Sequence, residues 1–165
     1  MTLIETSNCV LAGEGVLGSV LPSHEHTGDI AFGWRLLQQL VELEIGYGMV
    51  VRECDVIAVQ ATEDILSVIL RSGELCRRKG WTLLKSAAAH DPLGEGVNPL
   101  PVIDTEIIKA LAAAGGGCLA VNAERVLFAD KPRVIEAANR AKIAVVGVVE
   151  DSWVKKKKKK KIDRE

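Results

Sequence analysis

No run of about eighteen apolar residues occurs anywhere in this 165-residue chain, which excludes a single-helix membrane span. The opening Met1-Thr2-Leu3-Ile4-Glu5 lacks a basic start and meets an acid at once, so no secretory leader is expected and the reading is cytoplasmic. The four cysteines, Cys9, Cys54, Cys76 and Cys118, include no C-x-x-C pair. They are expected as reduced, mostly buried thiols. No internal repeat is visible. Aromatic residues are scarce at 4%, and only Trp153 stands near the one strongly basic segment, too little for a base-stacking platform.

Hydrophobic residues make up 48% of the chain, enough for a real core in one domain. The formal charge of −1 conceals an asymmetry, because Lys155 to Lys161 are seven consecutive lysines. Without them 14 basic residues face 22 acidic ones, an acidic body at −8 with a basic tail. The domain is expected over 1–150, with an arm at 1–21 and a disordered, solubilising tail at 151–165. The same lysines can meet an anionic membrane surface or bind nucleic acid without sequence preference. No specific nucleic-acid partner is expected.

Strand and helix patterns alternate along most of the chain, which predicts a three-layer α/β domain with a mixed, partly parallel sheet flanked by helices. Residues 22–28 read as a loop. Phe32, Leu36, Leu37, Leu40, Val41 and Leu43 then form a helical stripe, with Asp29 in the first turn and Gly46 and Gly48 as breakers. Two apolar runs, 49–51 and 56–59, flank the polar link Arg52-Glu53-Cys54-Asp55 and predict a hairpin. Thr62 is expected to cap a second helix, with Glu63 and Asp64 in its first turn. Its apolar face is expected from Ile65, Leu66, Ile69, Leu70 and Cys76. Arg77 to Lys79 suit its C-terminal end, before Gly80. Residues 81–85 read as a strand and 89–99 as a long irregular loop. A third helix is predicted from Asp104 or Thr105 through Ala114, and strands at 118–121 and 126–129. A fourth helix is predicted to be capped by Asp130, with Pro132 near its first turn. The closing strand, 143–149, is nearly all apolar and so buried on both faces.

Three motifs invite chemistry. Gly13-Glu14-Gly15-Val16-Leu17-Gly18 is a literal G-x-G-x-x-G, but Pro22 and the polar residues after it interrupt the helix a dinucleotide site requires. His24-Glu25-His26 would place two imidazoles on one face of an extended segment; without a third ligand nearby it reads as a solvated polar loop. Gly115-Gly116-Gly117 follows a helix and reads as its stop rather than an anion cradle.

The stretch from Asp29 to Ala61 resembles the C-terminal domain of the LpxI-type UDP-2,3-diacylglucosamine pyrophosphatases. Asp29, Ile30, Phe32, Gly33, Ile45, Gly46, Val59 and Ala61 match that family's D-I-x-F-G, I-G-Q and V-E-A text. The likeness runs from about Leu11 to Gly147 through Gly13 to Leu17, Lys85, Pro101, Cys118 to Val121 and Val145 to Gly147. The family's acidic E-G-T-D becomes Glu63-Asp64-Ile65-Leu66. Its Q-D-x-R-x-D-x-P loop becomes a longer segment in which Asp91 stands for the first aspartate, the second falls on Asn98 or Pro99, and the arginine is gone.

The resemblance implies hydrolysis of UDP-2,3-diacylglucosamine to 2,3-diacylglucosamine 1-phosphate and UMP in lipid A synthesis. Asp91 and Glu63 would be the catalytic acids, with Asp91 also the ligand of a magnesium ion. Lys85, Asn98 and Asn122 would contact substrate. Magnesium suits such a reaction because it takes oxygen ligands and neutralises phosphoryl charge. Read from the residues alone, Glu63 and Asp64 are equally the acids a helix start favours. The resemblance further implies a homodimer and, for a lipid-handling enzyme, contact with the inner membrane through Lys155 to Lys161. The alternative reading is a non-catalytic relative that binds a nucleotide sugar or lipid, or serves oligomerisation.

Overall fold

A computed structural model describes residues 8–88 and 100–149. Its main sheet contains β2 (Gly15–Val16), β9 (Ala144–Val148), β7 (Gly116–Asn122), β5 (Trp81–Lys85), β3 (Gly48–Arg52) and β4 (Asp55–Gln60), in that spatial order. β5, β7 and β9 run parallel, while β2, β3 and β4 are antiparallel to their neighbours. A smaller sheet orders β1 (Cys9–Leu11), β8 (Leu127–Ala129) and β6 (Val102–Ile103). The expected mixed α/β architecture is therefore present. Residues 8–21 contribute one strand to each sheet.

Helix α1 (His24–Glu42) covers one face of the main sheet. It buries Ile30, Trp34, Leu37 and Val41 against Met49, Val51, Leu84 and Ala120. Helices α2 (Ile65–Leu75), α3 (Thr105–Ala114) and α4 (Lys131–Arg140) cover the other. There Val68, Ile69, Ile108, Leu111 and Val134 meet Val50, Leu83, Leu119 and Val145. Three layers follow because each helix presents one apolar stripe and the central strands are apolar on both faces. β5 and β9 are buried at every position.

Several boundaries differ from the sequence expectation. Residues 24–28 are helix, not loop. Ser23 accepts the His26 backbone N–H at 3.1 Å, and His26 Nδ1 accepts the Ser23 N–H at 3.2 Å, a capping box with histidine in the usual Glu or Gln place. His24 and His26 are thus two apart on a helix and do not share a face. Asp29 consequently lies beyond the first turn, buried, with Oδ1 accepting the Cys54 N–H at 2.7 Å.

Glycines do not end α1. Glu44 does, at φ +55°, with Ile45 N–H donating to Leu40 O at 2.9 Å and Glu44 N–H to Val41 O at 3.0 Å. Lys142 repeats this left-handed stop after α4 at φ +57°. Left-handed backbone is strained for any residue with a Cβ. Glu44→Gly and Lys142→Gly should each raise stability by about 0.5–1 kcal/mol after the extra unfolded-state entropy of glycine is subtracted. A higher urea midpoint at unchanged m-value is the expected readout.

Asp64, not Thr62, caps α2. Its carboxylate takes the Ser67 hydroxyl at 2.7 Å and the Ser67 N–H at 3.0 Å, which hold its pKa below the ordinary value. Leu66 and Leu70 are exposed; the buried positions are Val68, Ile69 and Ser72. α2 ends at Leu75, leaving Arg77 to Lys79 beyond it. Asp130 sits at the N-cap of α4 but makes no capping bond, pairing instead with Arg133 at 3.2 Å. All four thiols are free, but Cys118 alone is fully buried; Cys9 and Cys76 are half-buried and Cys54 is exposed. Gly115 stops α3 at φ +99°, as expected.

The G-x-G-x-x-G segment links β1 to β2 with no helix behind it. Gly13 and Gly15 have positive φ and carry the chain across β9, so the dinucleotide requirement is unmet.

Candidate functional site

β5, β7 and β9 all end at one edge of the sheet, at Lys85, Asn122 and Val148. The antiparallel β3 begins there and β4 finishes there, since Gly48 pairs with both Lys85 and Gln60. α2, α3 and α4 each lead into one of the three parallel strands, so their N-termini collect at this edge. In open α/β sheets this is where ligands bind, and the positive ends of the helix dipoles favour anions.

Lys85 is the centre of the edge. Strand alternation puts it on the face of Trp81 and Leu83, beneath the layer of α2 and α3. It is 7% exposed, and burial away from water pulls its pKa from the ordinary 10.5 down to about 8. Its Nζ donates to Gln60 Oε1 at 2.9 Å. Gln60 Nε2 donates to the Glu63 carbonyl at 3.0 Å. The Glu63 carboxylate pairs with Arg71, whose Nη2 also donates to Val59 O at 3.3 Å. Lys85 and Glu63, far apart in sequence, are thereby joined through one amide.

Gln60 was not singled out by sequence reasoning. The signal was its place between the matched Val59 and Ala61, where the family text V-E-A has glutamate. A Cβ on Gly46 would stand 2.3 Å from Gln60 O, and one on Gly48 2.5 Å from Gln60 Oε1. These two glycines are the space that Gln60 occupies.

Asn122 lies on the neighbouring strand, one residue past Val121, the register partner of Lys85. Its Oδ1 accepts the Glu124 N–H at 3.1 Å, a turn bond that fixes the link out of β7. Asp91 and Asn98 lie outside the described residues. Lys155 to Lys161 also lie outside them.

Among the described residues no three His, Cys, Asp or Glu side chains come together as metal ligands. The donors around Lys85 do not fit magnesium: Glu63 is paired with Arg71, and the Gln60 oxygen is occupied by an ammonium.

The opposite edge holds a different group. Arg52 Nη1 donates to Gly80 O at 3.1 Å and stands 3.5 Å from Glu25; its Nη2 is 3.7 Å from Glu53. His26 Nε2 meets the same carbonyl at 2.9 Å. Because His26 Nδ1 accepts from Ser23, Nε2 carries the proton. A shallow cavity of 480 Å³ opens here, lined by Arg52, Glu53, Asp55, Arg77 and Arg78, at the far end of the strands from Lys85. Its arginines are largely matched by acids. Cys118 is buried between β5 and α1; desolvation and then the nearby Asp29 push its thiol up to about 12, so it is inert.

The family described as LpxI C-terminal domain matches residues 13–146. The chain is similar to the UDP-2,3-diacylglucosamine pyrophosphatase LpxI of Caulobacter vibrioides, 34% identical over 138 residues, which cover 81% of this chain and 49% of that relative. The chain spans about half the length of the curated relative it matches.

Proposed function

The chain belongs to the LpxI C-terminal domain family, and from that premise we propose that it receives the pyrophosphate of UDP-2,3-diacylglucosamine and takes part in its hydrolysis to UMP and 2,3-diacylglucosamine 1-phosphate. One observation carries the reading: a buried lysine ammonium at the ligand-binding edge of the sheet, among three helix N-termini. With a pKa near 8, Lys85 is mostly protonated at pH 7 and donates to the non-bridging phosphoryl oxygens, on which charge accumulates as water attacks in line. Glu63 fixes the amide that fixes Lys85. Asp91 orients the attacking water, as the family resemblance implies. The described donors supply no magnesium site, and no step above requires one of them to bind the ion.

Incubating the purified chain with UDP-2,3-diacylglucosamine, with and without magnesium, tests the reading. UMP release is expected, reduced about 100-fold in Asp91→Ala, as for loss of one water-orienting or charge-stabilising group. No release above background, with Asp91→Ala indistinguishable, ends the claim of turnover. A UMP-induced rise in melting temperature without turnover assigns the domain a holding role instead, because a ligand selective for the folded state stabilises it.

The proposal extends to a homodimer, to be checked by light scattering. It also extends to an anionic membrane surface met by Lys155 to Lys161 at about 1 kcal/mol per residue near it. Co-sedimentation with phosphatidylglycerol vesicles, lost on deleting 155–161, is the expected outcome.

A further inference from the structure

We infer that Gln60 is the positioning residue of this edge: its amide holds the Lys85 ammonium in place without neutralising it, and so keeps a full positive charge available to an anion. This rests on the phosphate-binding reading of Lys85 and deepens it.

The orientation of the amide is determined by its surroundings. Nε2 donates to Glu63 O, so Oε1 faces Lys85, and the reverse orientation would set oxygen against oxygen at one end and nitrogen against nitrogen at the other. Gln60 is itself 8% exposed; the absent side chain of Gly48 leaves room for its amide, and that of Gly46 for its backbone carbonyl. A carboxylate of the same shape would fit that volume and would cancel the charge; the family text V-E-A has glutamate at this place, so the amide is a departure of this chain from its family.

The neighbouring charges are disposed to the same end. Glu63 presents its carbonyl to the amide and turns its carboxylate to Arg71. Asp64 turns its carboxylate to Ser67. β3 and β7 contribute Gly48 and Val121 beside Lys85, neither of them charged. Among the described residues the sole side-chain bond made by the Lys85 ammonium is to a neutral oxygen. An ion pair would satisfy a buried lysine more fully; with an amide in its place, no bond from a described residue takes the ammonium's other two protons or cancels its charge.

The test follows the Lys85 titration in the full chain, by lysine Cε chemical shift, for the native protein, Gln60→Glu and Gln60→Met. UMP affinity is measured on the same samples by calorimetry. The native midpoint is expected at about 8. Gln60→Glu should move it above about 10, because an adjacent carboxylate favours the charged form, and weaken UMP binding at pH 7 by roughly tenfold. Gln60→Met, volume-matched and uncharged, should move the midpoint below that of the native protein and carry the alkaline limb of UMP binding with it. It also keeps the test informative if the glutamate variant misfolds. Equal midpoints in the native protein and either folded variant would overturn the inference. Midpoints that move while none of the proteins binds UMP at any pH would overturn the phosphate reading, and the claim that the charge serves an anion, while supporting the amide's hold on Lys85.

Discussion

Lys85→Met is expected to lose UMP binding and turnover and, at the same time, to make the protein more stable at pH 7. The two effects have one cause. In the unfolded chain Lys85 keeps its proton up to about 10.5, whereas in the folded state it releases it near 8. Between those values the unfolded state binds more protons, so stability rises with pH across that window. Below about 8 the whole penalty is present, about 3 kcal/mol for the interval between the two pKa values. Methionine has similar volume and no charge, so the penalty disappears. It leaves Gln60 Oε1 without its donor, a loss of about 1 kcal/mol. The net gain is about 2 kcal/mol at pH 7, near 5 °C in melting temperature for a chain of this length. It should vanish between about pH 9 and 10 and become a loss of about 1 kcal/mol as pH approaches 10.5. Affinity for UMP should fall about 100-fold, the scale of one desolvated charge-assisted contact. Thermal melts of both proteins from pH 6 to 10.5 check the slope. Parallel curves would mean that Lys85 is not held in a water-poor setting, and the functional reading would lose its electrostatic basis. A residue whose burial costs the fold more than its one hydrogen bond returns is the pattern expected of a ligand-binding group.

The long regular elements were legible in the sequence because their signals are local. The span Thr105–Ala114 follows from Asp104 as cap and Gly115 as stop, both realised with the expected geometry. The apolar strands Trp81–Lys85 and Ala144–Val148 follow from composition, since strands buried on both faces carry no polar alternation. What was missed depends on partners distant in the chain. β1, β2 and β6 are two or three residues long, too short for periodicity, and exist because β8 and β9 pair with them. The start of α1 was hidden because histidine stands at the third position of its capping box. At the start of α2, Thr62, Glu63 and Asp64 are all plausible caps. The bond from Gln60 to the Glu63 carbonyl keeps that residue at the strand edge, and Asp64 takes the cap. In the candidate site, family resemblance pointed to Lys85 and Glu63, but the link between them was invisible. Gln60 reaches Lys85 across 25 positions, and only the β4–β3–β5 register brings them together.

Gly147→Ala should be the most damaging single-methyl change in the described fold. Gly147 sits inside β9, paired with Val121 on one side and Gly15 on the other. The turn before β2 crosses directly over it: a Cβ there would stand 1.6 Å from Gly13 O and 2.8 Å from the carbon of the same carbonyl. Both are backbone atoms, so no rotamer change relieves the overlap. Gly33 provides the contrast. A Cβ at Gly33 would meet Leu84 Cδ1 at 2.4 Å and Val51 Cγ2 at 2.8 Å, but those are side-chain ends that can swing aside. At Gly147 the chain must instead lift residues 13–16 off the sheet. That breaks the β2–β9 pairing and the bonds from Gly13 N–H to Ala123 O and from Leu17 N–H to Val145 O, and it uncovers Ala12 and Val146. Lost hydrogen bonds at about 1 kcal/mol each, together with exposed core surface, bring the expected cost to about 4–5 kcal/mol, a large share of the stability of a domain this size. Gly33→Ala, with overpacking alone, should cost about 1–3 kcal/mol. Urea unfolding of the two variants gives the comparison directly. Proteolysis should cut Gly147→Ala first within residues 13–18, because the freed strand leaves before the rest of the sheet opens. Equal stability of the two variants would show that the crossing over β9 has room the geometry does not allow it.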